Sequence, residues 1–289
     1  MSTLAAARAI HFAVCIQVLG ASLFLGIVDR LPKINEGQRW LLATTLIAAL
    51  AVPPSGLAWL TLQAAEMSDS SALQAWASGA VATLLWQSQA GTVWCVRAAL
   101  AAVLATATLI LAFPRRPVAR WSVYLVFVIA AALFMSCAWL SHAASDPSPY
   151  RPLHLVVHSV HMLGAALWFG GLLPLAMLLT LAEQNRAAAD FAVAREAARR
   201  FSVVALVAVG LIIVTGIANL MLLVGSVADA SAGRFVQVLA LKLVVFAAML
   251  VLATINRQVL VPRLAVADSA LAIVLLRRSV WAEASLAAL

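Results

Sequence analysis

Charge is scarce in this chain. Asp, Glu, Lys and Arg make up only 10% of its 289 residues, against about a quarter in soluble domains. Acidic residues are rarest, at 11 against 19 basic ones, and only two of the basic residues are lysines. Three cysteines, odd in number and embedded in apolar runs, argue against a disulfide framework. No Gly/Ser/Pro-rich linker, low-complexity tract or internal repeat divides the chain, so residues 1–289 read as a single transmembrane domain. No cleavable signal peptide is expected: the first apolar run starts almost at once and is too long for an h-region. HExxH and an adjacent carboxylate base are missing, which counts against a membrane zinc enzyme; no ATP-binding motif is present either.

What fills the chain is hydrocarbon. Hydrophobic residues reach 65% and the mean hydropathy is +1.04, values of a polytopic membrane protein. The expected fold is an all-α membrane bundle of about eight spans, near residues 4–28, 40–65, 92–113, 121–141, 153–182, 201–224, 235–256 and 279–289. The last is half a span. An interfacial helix is expected over about 70–87, and a kink or break at Pro53-Pro54-Ser55-Gly56. Loops after the odd-numbered spans hold 3, 3, 4 and 4 Arg/Lys, from Arg30, Lys33 and Arg39 through Arg115, Arg116 and Arg120 to Arg277 and Arg278. The opposite side holds Arg8, Arg151 and Arg234. The positive-inside rule then puts the N-terminus outside. The net charge of +8 thereby reads as topology control and contact with the lipid bilayer, not as affinity for nucleic acid.

The chemistry concentrates in the fifth span. From Pro152 to Ala182 no Asp, Glu, Lys or Arg occurs, yet His154, His158 and His161 do. Their spacing places all three on one helical stripe about 60° wide. Imidazoles in hydrocarbon need partners, so the stripe is a functional candidate. In the expected topology His11 and His142 fall on the same outer side. Cys15, Cys95 and Cys137 do too, with Met67, Met135, Met162 and Met221. Imidazole, thiolate and thioether donors suit copper, particularly Cu(I). The candidate metal ligands are therefore His11, His142, His154, His158, His161, Cys15, Cys137, Met135 and Met162. Arg97 and Lys242 lie about two turns inside their spans, placed to hold an anionic group or to snorkel.

Several short motifs resemble the copper-resistance protein D (CopD) family of bacterial inner-membrane proteins. They are Ser141-His142-Ala143, His161 with Trp168-Phe169-Gly170-Gly171-Leu172, and Gly91-x-x-Trp94-x-x-Arg97. Arg200-Phe201-Ser202, Thr215-Gly216, Lys242 and Asn256-Arg257 complete the set. The resemblance implies transport of copper across the inner membrane in copper homeostasis and resistance, not an enzyme. It also implies a periplasmic copper-binding partner of the CopC type. His142 and His161 match family positions, and His154 and His158 extend the stripe. The alternative is a membrane electron-transfer protein, holding b-type haem or acting on quinone through the same outer histidines.

Overall fold

The computed structural model describes residues 2–28, 36–113, 121–145, 147–227, 232–264 and 269–287, all helix or short connection. Seven of the described helices are long and apolar enough to cross a membrane. The basic residues Arg30, Lys33, Arg115, Arg116 and Arg120 lie outside the described residues. The contacts divide the chain into two compact units, Met1–Gly26 with Arg39–Leu155, and Ile27–Gln38 with Val156–Leu289.

The first unit is built on α1 (Thr3–Val28), α2 (Glu36–Met67), α5 (Gln89–Ala112) and α6 (Trp121–Met135). Pro53 and Pro54 withhold two N–H groups, yet α2 runs through them unbroken. Trp94 of α5 donates its indole N–H to the Pro53 carbonyl at 3.1 Å, and Ser55 Oγ donates to the Ala51 carbonyl at 2.7 Å. Such added donors are how a spanning helix accommodates proline.

Where one interfacial helix was expected over 70–87, two short ones form, α3 (Ala72–Ala77) and α4 (Ala80–Gln87). Gly79 between them adopts φ +78°, a left-handed conformation that stops the first helix. Ser71 and Gln74 form a capping box at the start of α3. Ala75 and Val81 pack on Leu60, Ala64 and Ala65 of α2, so this segment is seated on the unit. After Met135 the backbone tightens into 3-10 turns, Ser136–Leu140 and His142–Ser145.

The second unit holds α7 (Arg151–Asn185) from Val156 onward, α8 (Ala188–Val227), α9 (Ala232–Ile255) and α11 (Ser269–Ala287). α8 extends the expected sixth span, 201–224, back to Ala188 in one helix of 40 residues. Between α9 and the short turn α10 (Val261–Arg263), residues Asn256–Leu260 form a π-helical segment. α11 begins ten residues before the expected start at 279 and takes in Arg277 and Arg278, which sequence reading assigned to a loop. Arg277 pairs with Glu183 of α7 at 2.7 Å, giving the basic residue a helical place.

Candidate metal centre

α1 presents His11 and Cys15 one turn apart on one face. The 3-10 turn after α6 brings Cys137 to the same place. The ligand atoms of His11, Cys15 and Cys137 all lie within 4.8 Å of one another. All three residues are buried, and all three cysteines of the chain are free thiols. Among the described residues this is the group of three His, Cys or carboxylate donors close enough to share an ion.

The hydrogen bonds around His11 determine its tautomer. Arg97 of α5, 2% exposed, directs Nη1 at His11 Nε2 at 3.1 Å. A guanidinium only donates, so Nε2 carries the lone pair and the ring proton sits on Nδ1. Nδ1–H donates to Ser55 Oγ at 3.0 Å, and that hydroxyl donates in turn to the Ala51 carbonyl. A metal-ligating imidazole is oriented in this way, by a hydrogen bond at its other nitrogen. Cys15 Sγ lies 3.7 Å from the same Nε2.

Arg97 is itself held from behind. Its Nε donates to Ser136 Oγ at 2.9 Å and its Nη2 to the Ser136 carbonyl at 3.1 Å. Among the described residues it meets no carboxylate. The 3-10 turn that carries Cys137 thus also anchors Arg97. Gly56 makes room for the arrangement: a Cβ there would stand 2.9 Å from Trp94 Cδ1 and 3.1 Å from His11 Cε1. Trp59 covers the ring, its centroid 5.7 Å from that of His11.

One imidazole and two sulfurs form a soft set with three donors. It suits Cu(I) better than a hard divalent ion, and it falls one ligand short of a structural zinc site.

The other sequence candidates fall elsewhere. His161 Nδ1 lies 3.1 Å from Thr215 Oγ1, in the second unit. Thr215 Oγ1 in turn donates to the Leu211 carbonyl, so His161 Nδ1 is the donor in that contact. His154 is buried, and His158 and Met162 are half-buried on α7. Neither His154, His158 nor His161 joins a three-donor group among the described residues. Met135 is half-buried at the end of α6, and Lys242 is on the exposed surface of α9. The side chain of His142 lies outside the described residues. Trp168 is fully buried and donates to Glu283. Sequence reading singled out none of Ser55, Gly56 and Ser136 for the site. The signal for the first two was the Pro53-Pro54 pair directly before them.

Comparison with known proteins agrees with the motifs. Residues 1–152 match the family model of the copper resistance protein D-like N-terminal domain, and residues 195–289 match that of copper resistance protein D. Inner membrane protein YebZ of Escherichia coli (strain K12) is 32% identical over 179 residues, 62% of this chain and 57% of that protein. Copper transport protein CutJ of Bacillus subtilis (strain 168) is 29% identical over 228 residues, 77% of this chain and 41% of that protein. Copper resistance protein D of Pseudomonas syringae pv. tomato is 28% identical over 180 residues, 62% of this chain and 56% of that protein. The chain thus spans about half the length of the curated relatives it matches. No solved structure matches it. The chain is a multi-pass inner-membrane protein and belongs to the copper resistance protein D family.

Proposed function

We propose that the protein binds copper, as Cu(I), between His11, Cys15 and Cys137, and carries it across the inner membrane. The observation that carries this reading is the buried group of one imidazole and two thiols, with the imidazole lone pair turned toward the sulfurs. The family and the relatives named for copper transport and copper resistance support the same cargo. With the N-terminus outside, the centre lies toward the periplasm, where a copper-binding protein of the CopC type hands over the ion. His142, His154, His158 and His161, with Met135 and Met162, then act as further ligands along the path. Copper here is cargo, so release as well as capture is expected of each station.

Thiolate donors favour Cu(I), while Arg97 already occupies the Nε2 lone pair by hydrogen bonding. Copper entry therefore requires the guanidinium to let go of His11 while keeping Ser136. Arg97 supplies positive charge beside two sulfurs that must lose protons to bind metal, and so limits the net charge of the loaded centre.

The test is anaerobic Cu(I) titration of the purified protein against a chromophoric chelator. Wild-type protein is expected to withdraw copper stoichiometrically, whereas Cys15→Ser and Cys137→Ser lose most of that uptake. Equal binding by wild type and both variants would refute the site. A Soret band in the purified protein would favour the haem alternative instead.

A further inference from the structure

The second unit contains a buried carboxylate that the copper reading does not use. Glu283 of α11 is 2% exposed. Its Oε1 accepts the indole N–H of Trp168 at 2.6 Å, and its Oε2 accepts Asn256 Nδ2 at 3.0 Å. Both donors are neutral. Asn256 is 8% exposed, and its Oδ1 is buried without a hydrogen-bond partner among the described residues. A buried carboxylate that pairs with no cation among the described residues, next to an orphaned acceptor, is short of a donor or a positive charge.

The position is informative as well. Trp168 stands seventeen residues from either end of α7, counting from Arg151 and from Asn185. That is roughly 25 Å of helix each way, so Glu283 meets α7 at its middle. Asn256 opens the π-helical segment Asn256–Leu260, the kind of helix irregularity that recurs at functional positions. Trp168, Asn256 and Glu283 also line a cavity of about 190 Å³, with Ser202, Leu172 and Arg257, large enough to admit water.

We infer that Glu283 is a proton-binding carboxylate buried beside the middle of α7, with Asn256 and Trp168 as its hydrogen-bond partners. A proton is the ligand that fits. The acceptors are hard oxygens, unsuited to Cu(I), and they are too few for a hard metal ion that takes six or more. A proton needs one. On protonation, the carboxylate oxygen that gains hydrogen becomes a donor, and the Asn256 amide meets it by a half-turn that brings the orphaned Oδ1 to the acid. The cavity has room for water beside the pair. The exchange links the protonation state to the packing of α11 on α7 and on the π segment.

The surrounding charges leave this site distinct. Arg257 lines the same cavity, but its Nη1 is committed to the Ser202 carbonyl and hydroxyl at 2.8 and 2.7 Å. Arg277, on the same helix as Glu283, pairs with Glu183 of α7. α8 contributes the Ser202 hydroxyl to the cavity, and the turn α10 carries the exposed Arg263. α9 contributes Thr254 and no charged group.

The experiment is a pH-difference infrared spectrum of the purified full-length protein without metal. Wild type is expected to gain a protonated-carboxyl stretch as pH falls, shifted in heavy water. Glu283→Gln should lose that band, and Trp168→Phe should move both its frequency and its midpoint by removing one donor. If Glu283→Gln does not accumulate, the Trp168→Phe and Asn256→Ala shifts decide alone. A wild-type spectrum without the band, or a band unchanged in these variants, overturns the proposal. A second arm, copper uptake by proteoliposomes under an imposed pH gradient, asks whether the proton is coupled to transport. There the reading rests on copper being the cargo. Severalfold acceleration in wild type but not in Glu283→Gln is the expected result, and equal acceleration in both overturns the coupling. The metal-free spectrum stands whichever way the copper assignment falls.

Discussion

Arg97 and His11 share the lone pair that a metal ion would need: Nη1 donates to Nε2 at 3.1 Å. If copper binds at Nε2 as proposed, this contact is lost on loading, and that asymmetry is testable. Arg97→Lys keeps the charge but cannot reach Ser136 Oγ, the Ser136 carbonyl and His11 with one compact ammonium. The metal-free protein is expected to lose about 1–3 kcal/mol, and the copper-loaded protein less. Thermal melting with and without Cu(I) should therefore show a larger copper-induced rise in the variant. An unchanged or smaller rise would mean that Arg97 does not leave His11 on loading.

Ser55 holds His11 through the nitrogen that faces away from the sulfurs. Ser55→Ala removes the acceptor for Nδ1–H and frees the ring to change tautomer. Loss of such an orienting partner commonly costs 10–100-fold in metal affinity, and about that is expected here. Chelator competition measures it. Unaltered affinity would show that the ring is positioned by Trp59 and Arg97 without Ser55.

Gly56→Ala puts a methyl group against Trp94 and His11 at 2.9 and 3.1 Å. Overpacking of this kind costs roughly 1–3 kcal/mol, and here it acts on the ligand ring. The variant is expected to insert normally but bind copper weakly. Gly79→Ala is the control: its φ of +78° makes alanine strained, yet nothing lies within 4 Å of the new methyl group. It should lower stability by about 1 kcal/mol and leave copper binding alone. Equal copper affinities in the two variants would separate Gly56 from the centre.

His161 has a hydroxyl at Nδ1, that of Thr215, as His11 has that of Ser55. As a later station it should affect movement and not capture. His161→Ala is expected to keep the wild-type Cu(I) stoichiometry while slowing uptake into proteoliposomes at least tenfold, the rate equivalent of about 1.4 kcal/mol. Loss of the tightly bound copper would instead place His161 in the first centre.

Much of this could be read from the sequence, and the limits have physical causes. The i, i+4 spacing of His11 and Cys15 needs only helical geometry, and charge-free runs mark spans by length. Arg97 stood out as a cation deep in an apolar run. The partner of Arg97 did not, because the meeting of α1, α2, α5 and the turn after α6 is a long-range event that leaves no local periodicity. In a chain that is 65% hydrophobic, both the lipid-facing and the core-facing sides of a helix are apolar, so amphipathic patterns are weak. The α7 stripe shows the same limit. Helical arithmetic puts His154, His158 and His161 on one face without saying what that face meets. The start of α11 was misread because Arg277 and Arg278 look like loop residues until Glu183 is found opposite Arg277.

X-ray absorption at the copper edge tests the central claim most directly, on Cu(I)-loaded protein in wild type, His11→Ala and the double variant Cys15→Ser/Cys137→Ser. A first shell of sulfur with imidazole nitrogen is predicted for wild type, with the nitrogen contribution lost in His11→Ala and the sulfur contribution lost in the double variant. Copper coordinated by imidazoles alone, with a shell that survives removal of both cysteines, would contradict the account.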